Sequence, residues 1–315
     1  MKKFILKIIL FLVIISAIDY LCGFGFKYLA ERAQGGQSYK NYEVSKIAAP
    51  DVLILGSSRA IHHYVPQILE DSLNKTVYNA GYDGNGIVLM YPLMRLIAER
   101  HKPEIIIYDI HPIFDIEEND NSQYTRYLKP LYGENEIVDS VIIATDNSEK
   151  IKLLSSLYMN NSNALSLLKG AFDNEPKYEQ GYYPLYRVLT KEDYNIIKDA
   201  VAGNTKGQSF THSKLKESLL EELIAYCKAN KIKLYFVLSP FYGASYETEL
   251  FYEFVKGKDV QVLDYINQNR LNFPIEYFAD PDHLNHYGAE VFTKDLAREI
   301  NNRIREESTE EVHGR

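Results

Sequence analysis

Cysteine is scarce in this chain of 315 residues, which has only Cys22 and Cys227. Cys22 lies in or beside an N-terminal apolar segment and Cys227 within a helical pattern, so the pair makes no disulfide framework. Cys227 reads as a small buried apolar residue. Basic excess is also lacking. Lys and Arg number 35 against 43 Asp and Glu, a formal net charge of −8. That excludes a nucleic-acid partner, because phosphate recognition needs a basic surface. The acidity is spread out, with no long acidic tail, and there is no internal repeat.

A leader-peptidase pattern is missing as well. Lys2, Lys3 and Lys7 precede or interrupt an apolar run from Phe4 to Ile18, and positive charge before such a run holds the N-terminus in the cytoplasm. The exit is Asp19-Tyr20-Leu21-Cys22-Gly23-Phe24 rather than a small-residue cleavage site. Leu21 also stands where a lipoprotein site has a small residue. The expectation is an uncleaved signal-anchor helix over residues 1–30, about 20 residues of it spanning the bilayer. A cleaved signal and a helix lying on the surface are the alternatives. Asp19 within such a span is costly unless it nears the interface or finds a partner. The anchor and cleaved-signal readings both put the body of the protein outside the cytoplasm.

Residues 31–50 are polar and mixed and read as a linker. Hydrophobic residues make up 46% of the chain, enough for one sizeable core over 51–306. Strand-like runs at 51–55, 76–78, 104–108, 233–238 and 260–264 alternate with helical patterns at 66–73, 86–100, 213–229, 246–256 and 286–306. This predicts an α/β fold: three α/β/α layers around a mainly parallel sheet. A Tyr-, Asn- and Asp-rich stretch at about 113–205 reads as an insertion, with helical pieces near 136–158 and 163–172. Residues 307–315 read as a charged, frayed tail.

Ligands in such folds bind past the carboxyl ends of the strands, where chemistry-bearing residues gather. Gly56-Ser57-Ser58-Arg59 follows the first strand, and a glycine there permits a tight strand-to-helix turn. A serine hydroxyl needs a base. Asp280-x-x-His283 can provide one, the carboxylate orienting the imidazole. The competing reading of that loop is helix capping, by Asp280, Asp282 or Asn285. Asn79-Ala-Gly81-Tyr-Asp-Gly84-Asn85-Gly86 follows the second strand and is either a flexible turn or an oxyanion pocket with free backbone donors. Arg59 is placed to bind an anionic substrate group or to pair with a carboxylate. His62 and His111 are further substrate-side candidates. A metal cluster of His62, His63, His286, Asp280 and Asp282 is disfavoured, because adjacent histidines diverge and no His-x-x-x-His pattern supports it. No metal or other cofactor is expected.

In order and spacing these blocks resemble the SGNH (GDSL-type) hydrolase superfamily. His283-Leu-Asn-His-Tyr-Gly288-Ala is similar to the form in membrane-anchored members acting on cell-surface polymers, among them the teichoic-acid D-alanyl transfer protein and polysaccharide O-acetyltransferases. The resemblance covers roughly 51–306 apart from the insertion. It implies a flavodoxin-like SGNH fold, Ser58 as nucleophile, and His283 and Asp280 as base and acid. The amides of Ser58 and Gly84 would be oxyanion donors, with Asn85 as a further candidate. The substrate would be a small acyl ester or an acylated glycan, and a membrane-bound acyl-transporting protein a partner. The family's third block carries an oxyanion asparagine; here Asp109-Ile110-His111-Pro112 stands there instead. The alternative is therefore a non-catalytic glycan-binding or scaffold protein on the same fold.

Overall fold

A computed structural model of the chain describes residues 1–172, 178–204, 211–242, 248–267 and 273–313. The insertion boundary expected at 205, the helix start expected at 246 and the last two residues of the tail lie outside them. Along the chain the helices are α1 (Lys2–Glu31), α2 (Gly36–Tyr42), α3 (Ser58–His63), α4 (Pro66–Leu73), α5 (Ile87–Arg100), α6 (Pro112–Asp115) and α7 (Glu136–Thr145). There follow α8 (Glu149–Lys152), α9 (Ser156–Asn160), α10 (Ala164–Phe172), α11 (Lys191–Asn204), α12 (Lys214–Asn230), α13 (Glu249–Val255) and α14 (His286–His313). The strands are β1 (Val52–Gly56), β2 (Val77–Asn79), β3 (Ile105–Asp109), β4 (Lys233–Leu238) and β5 (Gln261–Asp264).

The chain divides into two compact units, one of residues 1–48 and 120–178, the other of 49–119 and 179–315. The second unit is a three-layer α/β/α fold. Its five strands are all parallel, in the order β2-β1-β3-β4-β5. β1 and β3 are buried along their whole length, which is why they read as unbroken apolar runs. Val52, Ile54, Ile105, Ile107, Tyr235 and Val237 face Leu69 of α4 and Phe292, Leu296 and Ile300 of α14. The alternate residues Leu53, Leu55, Ile106, Tyr108 and Phe236 are equally buried, on the side of α5 and α12. Each such side chain contributes about 1.5–3 kcal/mol by leaving water. Pro66 opens α4 and Asn74 closes it in the left-handed conformation, its N–H donating to the Glu70 carbonyl, the usual start and stop chemistry of a short helix.

Residues 31–50, read as a linker, carry α2 and a π-helical turn over Glu43–Ile47. α14 runs through the expected tail to His313. Residues 136–158 break into α7, α8 and the start of α9.

Within the second unit the chain passes from β1 outward to β2 and then returns to β3 on β1's other side. In open parallel sheets such a reversal is where ligands bind, past the carboxyl ends of the strands, here β1 and β3. The residues of chemical interest collect there.

Candidate active site

β1 ends at Gly56, with φ of 139°. A Cβ at that position would lie 2.6 Å from the Asp109 carbonyl oxygen and 3.1 Å from Ala60 Cβ. Only glycine lets the chain turn there while β1 stays paired with β3. Ser57 is buried, and Ser58, the first residue of α3, is partly exposed. Its amide stands at a helix start, where intrahelical acceptors are missing.

The loop before α14 folds back on itself. Phe278 and Leu284 form an antiparallel bridge, and the Ala279 N–H donates to the His283 carbonyl at 2.8 Å. Asn285, not an aspartate, serves the start of α14, its Oδ1 accepting from the Gly288 N–H at 3.1 Å. Asp280 is thereby left for His283. Its carboxylate lies 2.9 and 3.0 Å from His283 Nδ1 and accepts from the backbone N–H groups of Asp282 and His283. Burial alone would raise the Asp280 carboxyl. The His283 ring and the two amides outweigh that and hold it below the usual carboxylate range. With Nδ1–H donating to Asp280, Nε2 has its lone pair free. Ser58 Oγ lies 2.7 Å from it. The His283 side chain is 21% exposed, so an incoming molecule can reach it.

The other residues singled out from sequence occupy different kinds of place. Arg59 is 0% exposed, donates to the Ile110 carbonyl and pairs with Asp109 at 3.2 Å, which is the carboxylate pairing that stood beside substrate binding in the sequence. Burial pushes the Asp109 carboxyl up, and Arg59, Ser239 and Tyr64 offset this only in part. His62 donates through Nδ1 to the Tyr183 carbonyl at 2.6 Å. Its Nε2 is 3.7 Å from Asp83, and its ring meets the His283 ring edge-on, with centroids 5.3 Å apart. His111 is buried and lies against Phe114. Burial first, then the positive charge of Arg59 and His283, depress its pKa well below the usual value. Gly84 sits in an exposed turn at φ 64°. Asn85 turns its amide back to the Asp83 carbonyl at 2.7 Å. The start of that loop is seated on the serine block, with the Tyr82 N–H donating to the Gly56 carbonyl at 3.0 Å.

Sequence reasoning missed the support under His283. The Leu284 N–H donates to His63 Nε2 at 2.9 Å, so that nitrogen carries no proton. Nδ1 therefore holds it and donates to Ser239 Oγ at 3.0 Å. Thr293 of α14 completes the brace, its hydroxyl lying 3.0 Å from the His63 carbonyl and 2.7 Å from the Ala289 carbonyl and accepting from the Val65 N–H. The adjacent pair His62-His63 was visible in sequence; partners more than 170 positions away were not. Among the described residues no cluster of His, Cys, Asp and Glu could hold a metal ion.

No protein-family model matches the chain, and no curated protein does. Among solved structures it is similar to the crystal structure of a "putative acylhydrolase" from Bacteroides fragilis NCTC 9343, at 10% identity and a TM-score of 0.39. The match covers 85% of this chain and 97% of that one. Similarity at that level transfers neither an activity nor residue roles.

Proposed function

We propose that the chain is a membrane-anchored serine ester hydrolase or O-acyltransferase of the SGNH type, its α/β unit outside the cytoplasm. The observation that carries this reading is the Ser58 Oγ to His283 Nε2 distance of 2.7 Å with Asp280 on the opposite ring nitrogen. Ser58 Oγ attacks the acyl carbonyl carbon as His283 Nε2 takes the hydroxyl proton. The bond to the leaving alkoxide breaks, and Nε2 returns the proton to it. Water or a sugar hydroxyl then gives its proton to Nε2 and attacks the acyl-serine carbonyl carbon; the bond to Ser58 Oγ breaks, the free acid or new ester leaves, and Nε2 returns the proton to Oγ. Asp280 keeps the ring in the required tautomer and stabilises the imidazolium. The Ser58 amide at the start of α3 and the Gly84 amide are the proposed oxyanion donors.

Family resemblance and the outward location support a small acyl group on a cell-surface glycan as substrate, with a membrane-bound acyl-transporting protein as partner. α1 is long and apolar enough to cross a bilayer, which supports the anchor. A fluorophosphonate probe should label Ser58, and Ser58→Ala should lose both the label and p-nitrophenyl acetate hydrolysis while its circular dichroism stays unchanged. A wild-type protein that takes no label would instead assign the non-catalytic glycan-binding reading, which the missing third-block asparagine motivates.

A further inference from the structure

The unit formed by residues 1–48 and 120–178 exposes apolar side chains in an ordered pattern. On α10, Leu165, Leu168 and Phe172 are 78%, 47% and 77% exposed. They recur at i, i+3 and i+7 and so make one stripe. The residues of the opposite face, Leu167 and Gly170, are buried, with Gly170 close against Ser38. On α8, the turn after it and α9, Ile151, Leu154 and Leu157 are 77%, 81% and 43% exposed. A helix in water turns its apolar stripe inward. Here Leu167 and Gly170 face the protein while Leu165, Leu168 and Phe172 face out, and an exposed set of this kind marks an interaction surface.

α1 supplies the level at which this surface lies. From Phe4 to Ile18 every residue of α1 is exposed. Asp19, Cys22, Gly23, Phe26, Leu29 and Ala30 are then partly covered, at the spacing of one helical face. α9 and α10 pack on α1. Gly23 permits the approach, since a Cβ there would lie 2.7 Å from Ser156 Oγ. The Asp19 carboxylate accepts from Ser155 Oγ at 2.6 Å and from the N–H groups of Ser156 and Leu157 at 2.8 and 3.0 Å. The uncovered stretch is about 22 Å long at 1.5 Å per residue, whereas the hydrocarbon core of a bilayer is about 30 Å thick. If α1 spans, the missing length must come from residues 19–23, the level where α9 docks.

We infer that the exposed apolar face of α9, α10 and the turn before α9 is immersed in the outer interface of the bilayer, as a second membrane contact beside α1. The inference rests on the anchor reading proposed above. The occupant is lipid because the face starts at α9, beside α1 where α1 runs short, and α10 carries it outward to the level of Ala33, where Gly170 packs; interfacial helices bury apolar stripes of this size in the headgroup boundary. Asp19 fits the same placement. A carboxylate at that depth is tolerable only when its oxygens are satisfied, and the start of α9 satisfies them.

The test uses the full chain, with Cys22→Ser and Cys227→Ala, in vesicles of phosphatidylcholine and phosphatidylglycerol containing no other protein. Single cysteines carrying a fluorophore replace Leu154, Leu165 or Ile14. Nitroxide lipids of shallow and deep position and aqueous iodide read the depth of each. The expected result is loss of fluorescence at 154 and 165 to the shallow nitroxide, protection there from iodide, and loss at 14 to the deep nitroxide. Iodide quenching at 154 and 165 with deep quenching at 14 would overturn the docking face and leave the anchor standing. Iodide quenching at all three would overturn both. Positions 154 and 165 open to iodide in these vesicles but protected in native membranes would overturn lipid as the occupant and assign the face to a protein.

Discussion

The Ser58 hydroxyl meets a base 225 positions away, while the carboxylate behind that base is three positions from it. The two contacts differ in what depends on them. Asp280→Asn keeps a side chain of the same size but offers Nδ1 a donor or a neutral acceptor, so the ring loses its fixed tautomer and its counter-charge. Under the proposed mechanism kcat should fall roughly 10³- to 10⁴-fold, with labelling by a fluorophosphonate slowed in parallel and the unfolding midpoint little changed. Equal loss of folding would instead make Asp280 a loop-stapling residue. Arg59 belongs to the other category. Arg59→Met leaves the Asp109 carboxylate buried beside Tyr64 without its cation, and breaking such a pair costs roughly 3–5 kcal/mol; urea unfolding measures it. Of these residues, Ser58, Asp280 and His283 could be picked out in sequence because each sits in a short block of recognisable order. The pairing of Arg59 with Asp109 could not, because an arginine beside a candidate nucleophile fits substrate binding and structural pairing equally well until its burial is known. His63 was harder still, since its two ring partners, Ser239 and Leu284, come from other segments.

At the scale of elements, the strand-to-helix turn at Gly56 is where fold and site meet. Its φ of 139° is a region that L side chains rarely adopt, and the Cβ position is occupied by the Asp109 carbonyl. Gly56→Ala should therefore cost at least about 2 kcal/mol from backbone strain and clash. Because the turn aims Ser58, under the proposed function the same variant should lose esterase turnover at temperatures where it remains folded; undiminished turnover would show that the turn relaxes without moving the serine. The strands were legible for a related reason. A strand covered on both faces must be apolar throughout, and β1 and β3 are. α2 was not legible, because Gly-Gln-Ser-Tyr-Lys-Asn-Tyr has no apolar period and its helix rests on neighbours from the insertion, such as Gly170 beside Ser38. The stretch read as helical near 136–158 is divided into α7, α8 and α9: Thr145-Asp-Asn-Ser-Glu-Lys150 has no apolar residue, Asp146 accepts from the Ser148 N–H, and Ser155 caps the start of α9.

Taken whole, the protein's stability should depend on pH through buried groups of both signs. His63 is fully buried. Burial first, then the charges of His283, Arg59 and His62, depress its pKa well below 6.5, and His111 behaves alike. The unfolded chain binds protons on these rings below about pH 6.5 while the folded chain does not. Stability from them is thus complete above that pH and is lost as pH falls, by about 1.4 kcal/mol per ring at pH 5.5. Asp115 acts in the opposite sense. Burial raises its carboxyl to about 6 despite the Tyr108 hydroxyl, the amides of His111 and Ile87, and Lys216. The folded state therefore binds a proton that the unfolded state releases, and stability is regained as pH drops through 6. The raised Asp109 carboxyl adds to that return. The wild-type curve accordingly mixes the two, and a variant is needed to separate them. His63→Gln removes one ring and leaves the carboxyls untouched. Its unfolding free energy, measured by urea titration in detergent, should drop less than the wild type's between pH 7.5 and 5.5, by about 1.4 kcal/mol. Parallel drops for the two proteins would mean that His63 takes up its proton without unfolding. The Leu284 N–H would then face a ring nitrogen already protonated, and the brace behind His283 would be open in acid.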